Sequence, residues 1–200
     1  MRLVLGTRNK KKRVEIVDIL GDLGIELVDL TAWPDFPEIA ETGSTFADNA
    51  KIKAITVAQG TGCWALGEDS GLVVQALGGA PGVYSARYAG AHGDDAANNT
   101  KLLHELVKVP PDQRDAYYVC TAALADPQGN VKAIVEGRCC GRMIDERRGD
   151  GGFGYDPYFL ILEYHRTFGE LSAPVKHALS HRGRALAQLR PVLRQIAAQS

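Results

Sequence analysis

The sequence has no long hydrophobic run, because no stretch approaches the roughly 20 apolar residues that a membrane-spanning helix requires. Near the N-terminus, Leu3-Val4-Leu5 is too short an apolar core for a secretory signal. The formal net charge of −1 leaves no surplus of positive charge for bulk electrostatic binding to nucleic acid or to an anionic membrane. We therefore expect a cytoplasmic protein that has neither nucleic-acid nor membrane partners.

Cysteine is scarce, and its spacing excludes two common roles. The four cysteines form no CxxC pair, and two of them are adjacent: Cys63, Cys120, Cys139 and Cys140. This spacing fits neither a zinc site nor a disulfide framework. We predict that all four are reduced thiols.

Three familiar motifs are incomplete. The loop at residues 6–13 lacks the second Gly and the Lys-Ser/Thr pair of a Walker A loop. In the glycine-rich stretch 151–157, Pro157 stands where the dinucleotide fingerprint needs its third Gly. Ser70 lacks a GxSxG elbow and nothing in the sequence places His181 beside it, which argues against a Ser-His-Asp hydrolase.

The composition is that of an average globular protein. A hydrophobic content of 45% and a charged content of 24% are ordinary, and 200 residues are enough for a sizeable core. We found no internal repeat, low-complexity tract or linker. The sequence therefore predicts a single domain over residues 1–200.

The most unusual stretch lies between two apolar runs and carries two carboxylates and a hydroxyl, Glu68-Asp69-Ser70-Gly71. Residues 63–66 and 72–74 read as short strands, so the polar residues between them predict a turn. On its own, Asp-Ser-Gly is most simply an ordinary hairpin tip. The other unusual stretches of the chain favour a functional interpretation.

A basic loop follows the first predicted strand. A strand over 2–5, a loop over 6–9 and a helix over 10–20 form an arrangement whose helix N-terminus can bind an anion. The buried side of this helix is predicted to comprise Val14, Ile16, Val17, Ile19, Leu20 and Leu23. The loop and first turn carry the cations Arg8, Lys10, Lys11, Lys12 and Arg13. A solvated basic face is the alternative to a phosphate site.

A second helix is predicted from a capping-box-like Thr45-Phe46-Ala47-Asp48 to Gln59, with Gly60 ending it. Asn49 and Lys53 are four residues apart and share one face, from which both can point into a cleft. A surface lysine is the alternative for Lys53.

The remaining predicted elements are four strands and two helices. The strands are at 25–30, 116–124, 131–135 and 158–161. One helix is capped by Asp94, and a last helix begins near residue 180, which Pro191 should kink or end.

These stretches together suit triphosphate chemistry. Cations and helix-start amides neutralise phosphate oxygens, carboxylates hold Mg²⁺, and a carboxylate activates or orients water. A regulatory nucleotide-binding module is the alternative, but the paired Glu68-Asp69 argues against it, because two acids beside phosphates are costly unless a metal uses them.

Six motifs occur in order along the chain and together resemble the inosine/xanthosine triphosphate pyrophosphatase family in its bacterial dITP/XTP form. They are residues 6–12 (GTRNKKK), 41–43 (ETG), 68–72 (EDSGL), 78–88 (GGAPGVYSARY), 152–157 (GFGYDP) and 180–183 (SHRG). The resemblance implies an α/β fold with an elongated, curved mixed sheet, flanked by helices in two lobes with a central cleft. It also implies Mg²⁺-dependent cleavage of 6-oxo purine nucleoside triphosphates to the monophosphate and pyrophosphate, by a homodimer.

The resemblance also implies roles for individual residues. Asp69 matches the catalytic acid and a Mg²⁺ ligand. The matching substrate-binding positions are Thr7, Arg8, Asn9, Lys10, Lys11, Lys12, Lys53, Ser70, Phe153, Gly154, Tyr155, Asp156, Lys176, His181 and Arg182. Within this set, residues 7–12 would contact the phosphates, 153–156 would form the nucleoside pocket, and Lys176, His181 and Arg182 would contact the base.

One departure concerns the metal. Many bacterial members carry two consecutive acids before Thr-Gly, whereas this chain has Ala40-Glu41. The first acid, which the family assigns to the metal, is absent. Glu41 is predicted as the second metal ligand, with Glu68 and Glu38 as alternatives.

Overall fold

Seven strands form one mixed sheet in the computed structural model, which describes residues 1–199. The strands are β1 (Arg2–Leu5), β2 (Glu26–Asp29), β3 (Trp64–Val74), β4 (Asp115–Ala125), β5 (Val131–Met143), β6 (Phe159–Ile161) and β7 (Arg166–Thr167). Their order across the sheet is β2-β1-β3-β4-β5-β6-β7. Strand β1 is parallel to β2 and β3, whereas β6 is antiparallel to β5 and β7.

Five α-helices accompany the strands within the described residues. They are α1 (Lys10–Leu20), α2 (Phe46–Thr61), α3 (Asp95–Leu106), α4 (Ala173–Leu179) and α5 (His181–Ala197). The predicted α/β class with a mixed sheet and flanking helices is confirmed. Within residues 1–199, no helix is long and apolar enough to cross a membrane. All four cysteines are free thiols, as predicted.

The chain divides into two compact units. The first unit comprises residues 1–69, 120–137 and the chain from 182 onward; the second comprises 70–119 and 138–181. Strands β3, β4 and β5 contribute residues to both. The single domain and the central cleft expected from the sequence stay predictions.

The first unit has two apolar clusters. One includes Leu3, Leu5, Ile16, Leu20, Leu66, Leu186, Leu189 and Leu193; the other includes Val4, Leu30, Phe36, Ala50, Ala54 and Val57. The buried face predicted for α1 was partly wrong. Val14 and Val17 are 57% and 37% exposed, whereas the neighbouring Glu15 is buried. A charged residue is tolerated there because it has a buried cationic partner, Arg182.

The second unit has its own core around aromatic residues. Tyr118, Phe159 and Phe168 contact one another, with ring centroids 4.8 to 5.9 Å apart. The same cluster contains Leu72, Val74, Leu102, Leu106, Met143, Tyr155 and Ile161. Helix α3 buries Leu102 and Leu106 there, and Asp94 caps it as predicted by accepting from the amide of Ala97.

The structure of β3 differs from the main expectation drawn from the sequence, which was a turn at residues 68–71. Residues 64–74 form one continuous strand, and the predicted turn at 68–71 is wrong. Asp, Ser and Gly favour turns only as a local preference, which pairing and burial override. Here Leu66 pairs with Leu5 of β1, and both Glu68 and Asp69 are buried.

Helix ends also differ from the prediction. Helix α2 begins at the predicted Thr45 cap but extends past Gly60 to Thr61, and Gly62 ends it with a φ of 66°. Gly60 is instead a packing position, because a Cβ there would lie 2.5 Å from the ring of Phe36. Helix α5 continues through Pro191 to Ala197, so of the two expected effects of Pro191, ending the helix is wrong and a kink stays a prediction. Helix α4 was not predicted.

Candidate active site

The carboxylate of Asp69 lies near the middle of β3 and is bonded on both oxygens. Lys53 donates from Nζ to Oδ1 over 3.1 Å, and Asn49 donates from Nδ2 to Oδ2 over 3.1 Å. Asp69 is only 5% exposed, so it is not the exposed turn residue that the sequence suggested. The prediction that Asn49 and Lys53 point the same way from α2 is confirmed, and their common target is Asp69.

Close packing of α2 on β3 creates this arrangement. A Cβ on Gly67 would lie 2.2 Å from the carbonyl oxygen of Ala50 and 2.4 Å from the amide nitrogen of Ala54. Only glycine therefore lets the helix backbone come this near the strand. Residues one helical position away, Asn49 and Lys53, then reach the side chain of Asp69.

Glu41 joins the same cluster from an irregular loop. Its Oε1 lies 2.8 Å from Nζ of Lys53, so one ammonium bridges Glu41 and Asp69. Burial raises the pKa of Asp69, although the Lys53 ammonium opposes that shift. Burial by itself lowers the pKa of Lys53, but attraction to Asp69 and Glu41 outweighs it and the pKa is raised. The cluster therefore stabilises a buried cation between two carboxylates.

The donor set of this cluster suits Mg²⁺. Mg²⁺ prefers oxygen ligands and is commonly bound by one or two carboxylates together with substrate phosphates and water. Asp69 and Glu41 supply two such carboxylates around one cationic group. Among residues 1–199, no three His, Cys, Asp or Glu side chains gather as a metal cluster, so a magnesium ion here would take its remaining ligands from phosphate and water.

The other two carboxylates considered for the metal lie in different surroundings. Glu68 is 2% exposed and its Oε1 accepts from Arg182 over 2.9 Å, while Lys12 approaches its Oε2 to 3.5 Å. Cys120 also contacts Glu68. Glu38 is exposed on the loop before Glu41. The geometry therefore favours Glu41 as the partner of Asp69.

Arg182 lies inside the first unit and is 1% exposed. Its guanidinium donates to Glu15 and to Glu68, forming a buried triad of one cation and two carboxylates. Sequence reasoning missed Glu15, although its place four residues before Ile19, on the apolar side of α1, is the available signal. Contact of Arg182 with a purine base stays a prediction.

The basic loop has two sets of contacts. Lys12 faces Glu68, as described above, whereas Arg8 donates to the carbonyl of Phe36 and Arg13 pairs with Asp29 over 2.6 Å. Lys10 and Lys11 are exposed, and a cavity of about 570 Å³ is lined by Thr7, Arg8, Asn9, Lys10, Arg13, Val14, Asp29, Leu30, Thr31 and Pro34. Lys12, in the first turn of α1, thus pairs with an acidic residue of β3.

Asn9 uses part of the anion-binding capacity that the sequence predicted for α1. Its Oδ1 accepts from the amides of Lys11 and Lys12, and the hydroxyl of Thr7 accepts from the amide of Asn9. Two of the four free amides of the helix start are therefore already capped. Phosphate binding at the start of α1 would therefore depend more on the cationic side chains than on the backbone amides.

In the second unit, the glycine-rich loop folds around Asp156. The Oδ2 of Asp156 accepts from Nζ of Lys176 over 2.7 Å and from the amide of Phe153 over 2.8 Å. The ammonium of Lys176 also lies 4.9 Å from the centroid of the Phe153 ring. A Cβ on Gly152 would lie 2.1 Å from Asp156, and Gly152 has a φ of 73°, so this tight turn requires glycine.

His181 is positioned by an aromatic neighbour that sequence reasoning did not single out. Its ring stacks on Tyr118 with centroids 4.7 Å apart and planes 10° apart. Burial, with the nearby Asp156 carboxylate, raises the pKa of Tyr118 well above its ordinary value, so its hydroxyl stays protonated. Tyr155 donates from its hydroxyl to the carbonyl of Ser85 over 2.9 Å. Phe153, Asp156, Lys176 and His181, predicted to recognise the nucleoside, thus belong to one unit.

The remaining predicted residues have simpler places. Ser70 follows Asp69 in β3 and is half-buried. Gly154 accepts from Nδ2 of Asn99 over 2.9 Å through its carbonyl and donates from its amide to Asp95 over 3.0 Å. These two contacts fasten the glycine-rich loop to α3.

Comparison with known proteins gives consistent results. The family model described as "Ham1 family" matches residues 3–192. A protein of Rhodopirellula baltica named dITP/XTP pyrophosphatase is 54% identical over 191 residues, covering 96% of this chain and 92% of the relative. A protein of Geobacter sulfurreducens with the same name is 52% identical and covers 94% of each chain.

Solved structures agree with the sequence relatives. The HAM1 protein of Coxiella burnetii has a TM-score of 0.88 at 42% identity, covering 98% of this chain and 99% of the other. The Ham1 protein of Staphylococcus aureus has a TM-score of 0.85 at 35% identity, covering 98% and 100%. The resemblance drawn from the six motifs is confirmed: the chain belongs to the Ham1 family, which includes proteins named dITP/XTP pyrophosphatase.

Proposed function

We propose that this protein is a hydrolase of nucleoside triphosphates that cleaves ITP, dITP and XTP to the monophosphate and pyrophosphate. The observation that carries the proposal is the buried carboxylate of Asp69, held by Lys53 and Asn49 and linked through Lys53 to Glu41. Its relatives named dITP/XTP pyrophosphatase support the substrate class. Removal of deaminated purine nucleotides from the precursor pool is the corresponding cellular role.

The first unit supplies the phosphate chemistry in this proposal. Asp69 and Glu41 would hold Mg²⁺, which lowers the pKa of bound water and neutralises charge on phosphate oxygens. Asp69 would orient the attacking water more than deprotonate it, because a carboxylate that holds Mg²⁺ has a lowered pKa and is a weak base. Lys53 and Lys12 bring positive charge to the leaving pyrophosphate.

The second unit supplies recognition of the nucleoside. The Phe153 ring can stack on a purine, and Lys176, Asp156 and His181 offer hydrogen-bonding groups beside it. Hypoxanthine and xanthine present an acceptor at position 6 and a donor at N1, whereas adenine presents the reverse. A site built for the first pattern leaves buried groups unpaired with adenine, at about 1–3 kcal/mol for each lost hydrogen bond. Guanine must be rejected at its 2-amino group.

Two further features belong to the proposal. We propose that the protein works as a homodimer. We also propose that Arg182, which follows His181 at the start of α5, adds to base recognition from the first unit, where Glu15 and Glu68 hold its guanidinium.

Product analysis tests the proposed reaction. Incubation of the purified protein with ITP and Mg²⁺ should release IMP and pyrophosphate in equal amounts, and excess EDTA should abolish the release. Formation of IDP and inorganic phosphate would show that a different phosphorus is attacked and would contradict the proposal. Undiminished turnover in EDTA would show that the reaction does not require Mg²⁺ and would contradict that part of the proposal.

A further inference from the structure

The side chain of Asn49 is fully buried and has a partner at each end of its amide. Its Nδ2 donates to Oδ2 of Asp69 over 3.1 Å, and its Oδ1 accepts from the amide of Gly43 over 2.8 Å. The orientation of the amide follows from its partners, because a backbone N–H only donates and a carboxylate accepts. Asn49 therefore joins β3 to the loop that carries Glu41.

The contact with this loop is close as well as hydrogen-bonded. A Cβ on Gly43 would lie 2.6 Å from Cβ of Asp48 and 2.7 Å from Oδ1 of Asn49. The loop backbone is thus pressed against the first turn of α2, two residues after Glu41. The loop has no helix or strand of its own, so contacts such as these and the Glu41–Lys53 ion pair hold Glu41 in place.

The side chain at position 49 must accept from the amide of Gly43 and donate to the carboxylate of Asp69. Other side chains of similar size meet these two requirements less well. Aspartate in place of Asn49 would set a second carboxylate against Asp69, which like-charge repulsion disfavours. Alanine would leave both the Gly43 amide and one oxygen of Asp69 without their partner. An amide supplies one acceptor and one donor at opposite sides, which is what the loop and the strand need.

We infer that Asn49 is a positioning residue of the active site, which fixes the separation between the carboxylates of Asp69 and Glu41 and so sets the affinity for a divalent cation. This inference rests on the proposed function for the metal site at Asp69 and Glu41 and for the identity of the reaction. Partners that orient metal-binding groups typically change metal affinity by 10- to 100-fold when they are replaced.

The test compares Asn49→Ala with a matched control, Asn98→Ala. Asn98 is 3% exposed and also bridges backbone groups, accepting from Ala89 over 2.7 Å and donating to Ala86 over 3.3 Å, but it touches no carboxylate. Both variants lose two side-chain hydrogen bonds of a buried asparagine and should lose similar stability. Mn²⁺ binding to the nucleotide-free proteins is measured by electron paramagnetic resonance, and exchange of the Gly43 amide by NMR.

We expect Asn49→Ala to weaken Mn²⁺ binding by at least tenfold and to accelerate exchange at Gly43 by at least tenfold, while Asn98→Ala changes neither. In ITP turnover, Asn49→Ala should lower kcat with little change in KM. Mn²⁺ affinity within twofold of the wild type in folded Asn49→Ala, or equal losses in both variants, would overturn the inference.

A second variant covers the case in which Asn49→Ala does not fold. Gly43→Ala retains Asn49 but places a methyl group against it in an irregular loop, so it should fold and still weaken Mn²⁺ binding several-fold. Wild-type Mn²⁺ affinity in Gly43→Ala would count against the inference. Because these readouts need no nucleotide, failure of the wild type to cleave ITP would contradict the proposed function alone.

Discussion

At the scale of single residues, the environment of Asp69 determines what its carboxylate can do. Burial raises its pKa, Lys53 keeps a compensating charge beside it, and Asn49 fixes its second oxygen. In the proposed reaction, a carboxylate positioned to act on the attacking water contributes typically 10²–10⁴-fold to the rate. The side chain is therefore expected to matter far more for turnover than for folding.

Replacement of Asp69 by asparagine tests that expectation. Asparagine keeps the shape and one acceptor oxygen, and Lys53 retains Glu41 as a partner, but the new NH2 group faces a donor, either Nζ of Lys53 or Nδ2 of Asn49. We therefore expect the variant to fold and to unfold in a single transition, with a loss of about 1–3 kcal/mol for the unpaired buried group. Its kcat for ITP should fall at least 100-fold. A variant that keeps a tenth or more of the wild-type rate would contradict the role of Asp69.

Asp126→Asn is a matched control in the same unit. Asp126 is also an aspartate paired with a lysine, with Oδ2 2.9 Å from Nζ of Lys132, but it lies in the turn between β4 and β5. The bond with Lys132 lowers the pKa of Asp126 from 3.8 to about 2. Its stabilising effect is therefore present above pH 3.8 and lost as the pH falls towards 2. Turnover should be unchanged, and the stability difference from wild type should shrink as the pH falls through about 2 and vanish only below it.

At the scale of elements, local signals predicted what local chemistry controls. The bounds of α1, the Thr45 cap of α2 and the Asp94 cap of α3 follow from helix periodicity and capping residues, and the structure confirms them. The continuous strand β3 could not be predicted in this way. Its Asp-Ser-Gly segment favours a turn, but β3 pairs with β1 and β4, and α2 packs on Gly67, which keeps the strand extended.

The same distinction between local sequence signals and long-range contacts applies to the candidate active site. Helix spacing placed Asn49 and Lys53 on one face, but only the family resemblance selected Lys53 and Asp69 over a surface lysine and an ordinary turn. The partners Glu15 and Tyr118 could not be selected, because their roles depend on which distant side chains they meet in the folded chain: Arg182 for one and His181 for the other.

The N-terminal region of α1 carries the next prediction. Replacement of both Lys10 and Lys12 by alanine should raise the KM for ITP about tenfold, mostly through Lys12, which is half-buried beside Glu68. Added salt should raise the KM of the wild type in the same direction, because exposed charges are screened. The control is Lys108→Ala, an exposed lysine of the second unit, which should leave the KM unchanged. An unaltered KM in the double variant would show that the basic loop is a solvated surface and not a phosphate site.

At the scale of the whole molecule, each unit carries one part of the proposed reaction. The first unit holds the carboxylates and cations suited to the triphosphate, and the second holds the aromatic and polar groups suited to the base. A general triphosphatase would need only the first set. Selectivity among purines is therefore the property that separates the proposed function from unspecific triphosphate hydrolysis.

The most direct measurement of that property is kcat/KM of the wild-type protein for ITP, XTP, GTP and ATP under identical Mg²⁺ concentrations. Two mismatched positions on adenine, each costing about 1–3 kcal/mol, predict that ITP and XTP exceed ATP by roughly 10²-fold or more. GTP should also be far slower, because of its 2-amino group. Comparable kcat/KM values for all four nucleotides would contradict the account.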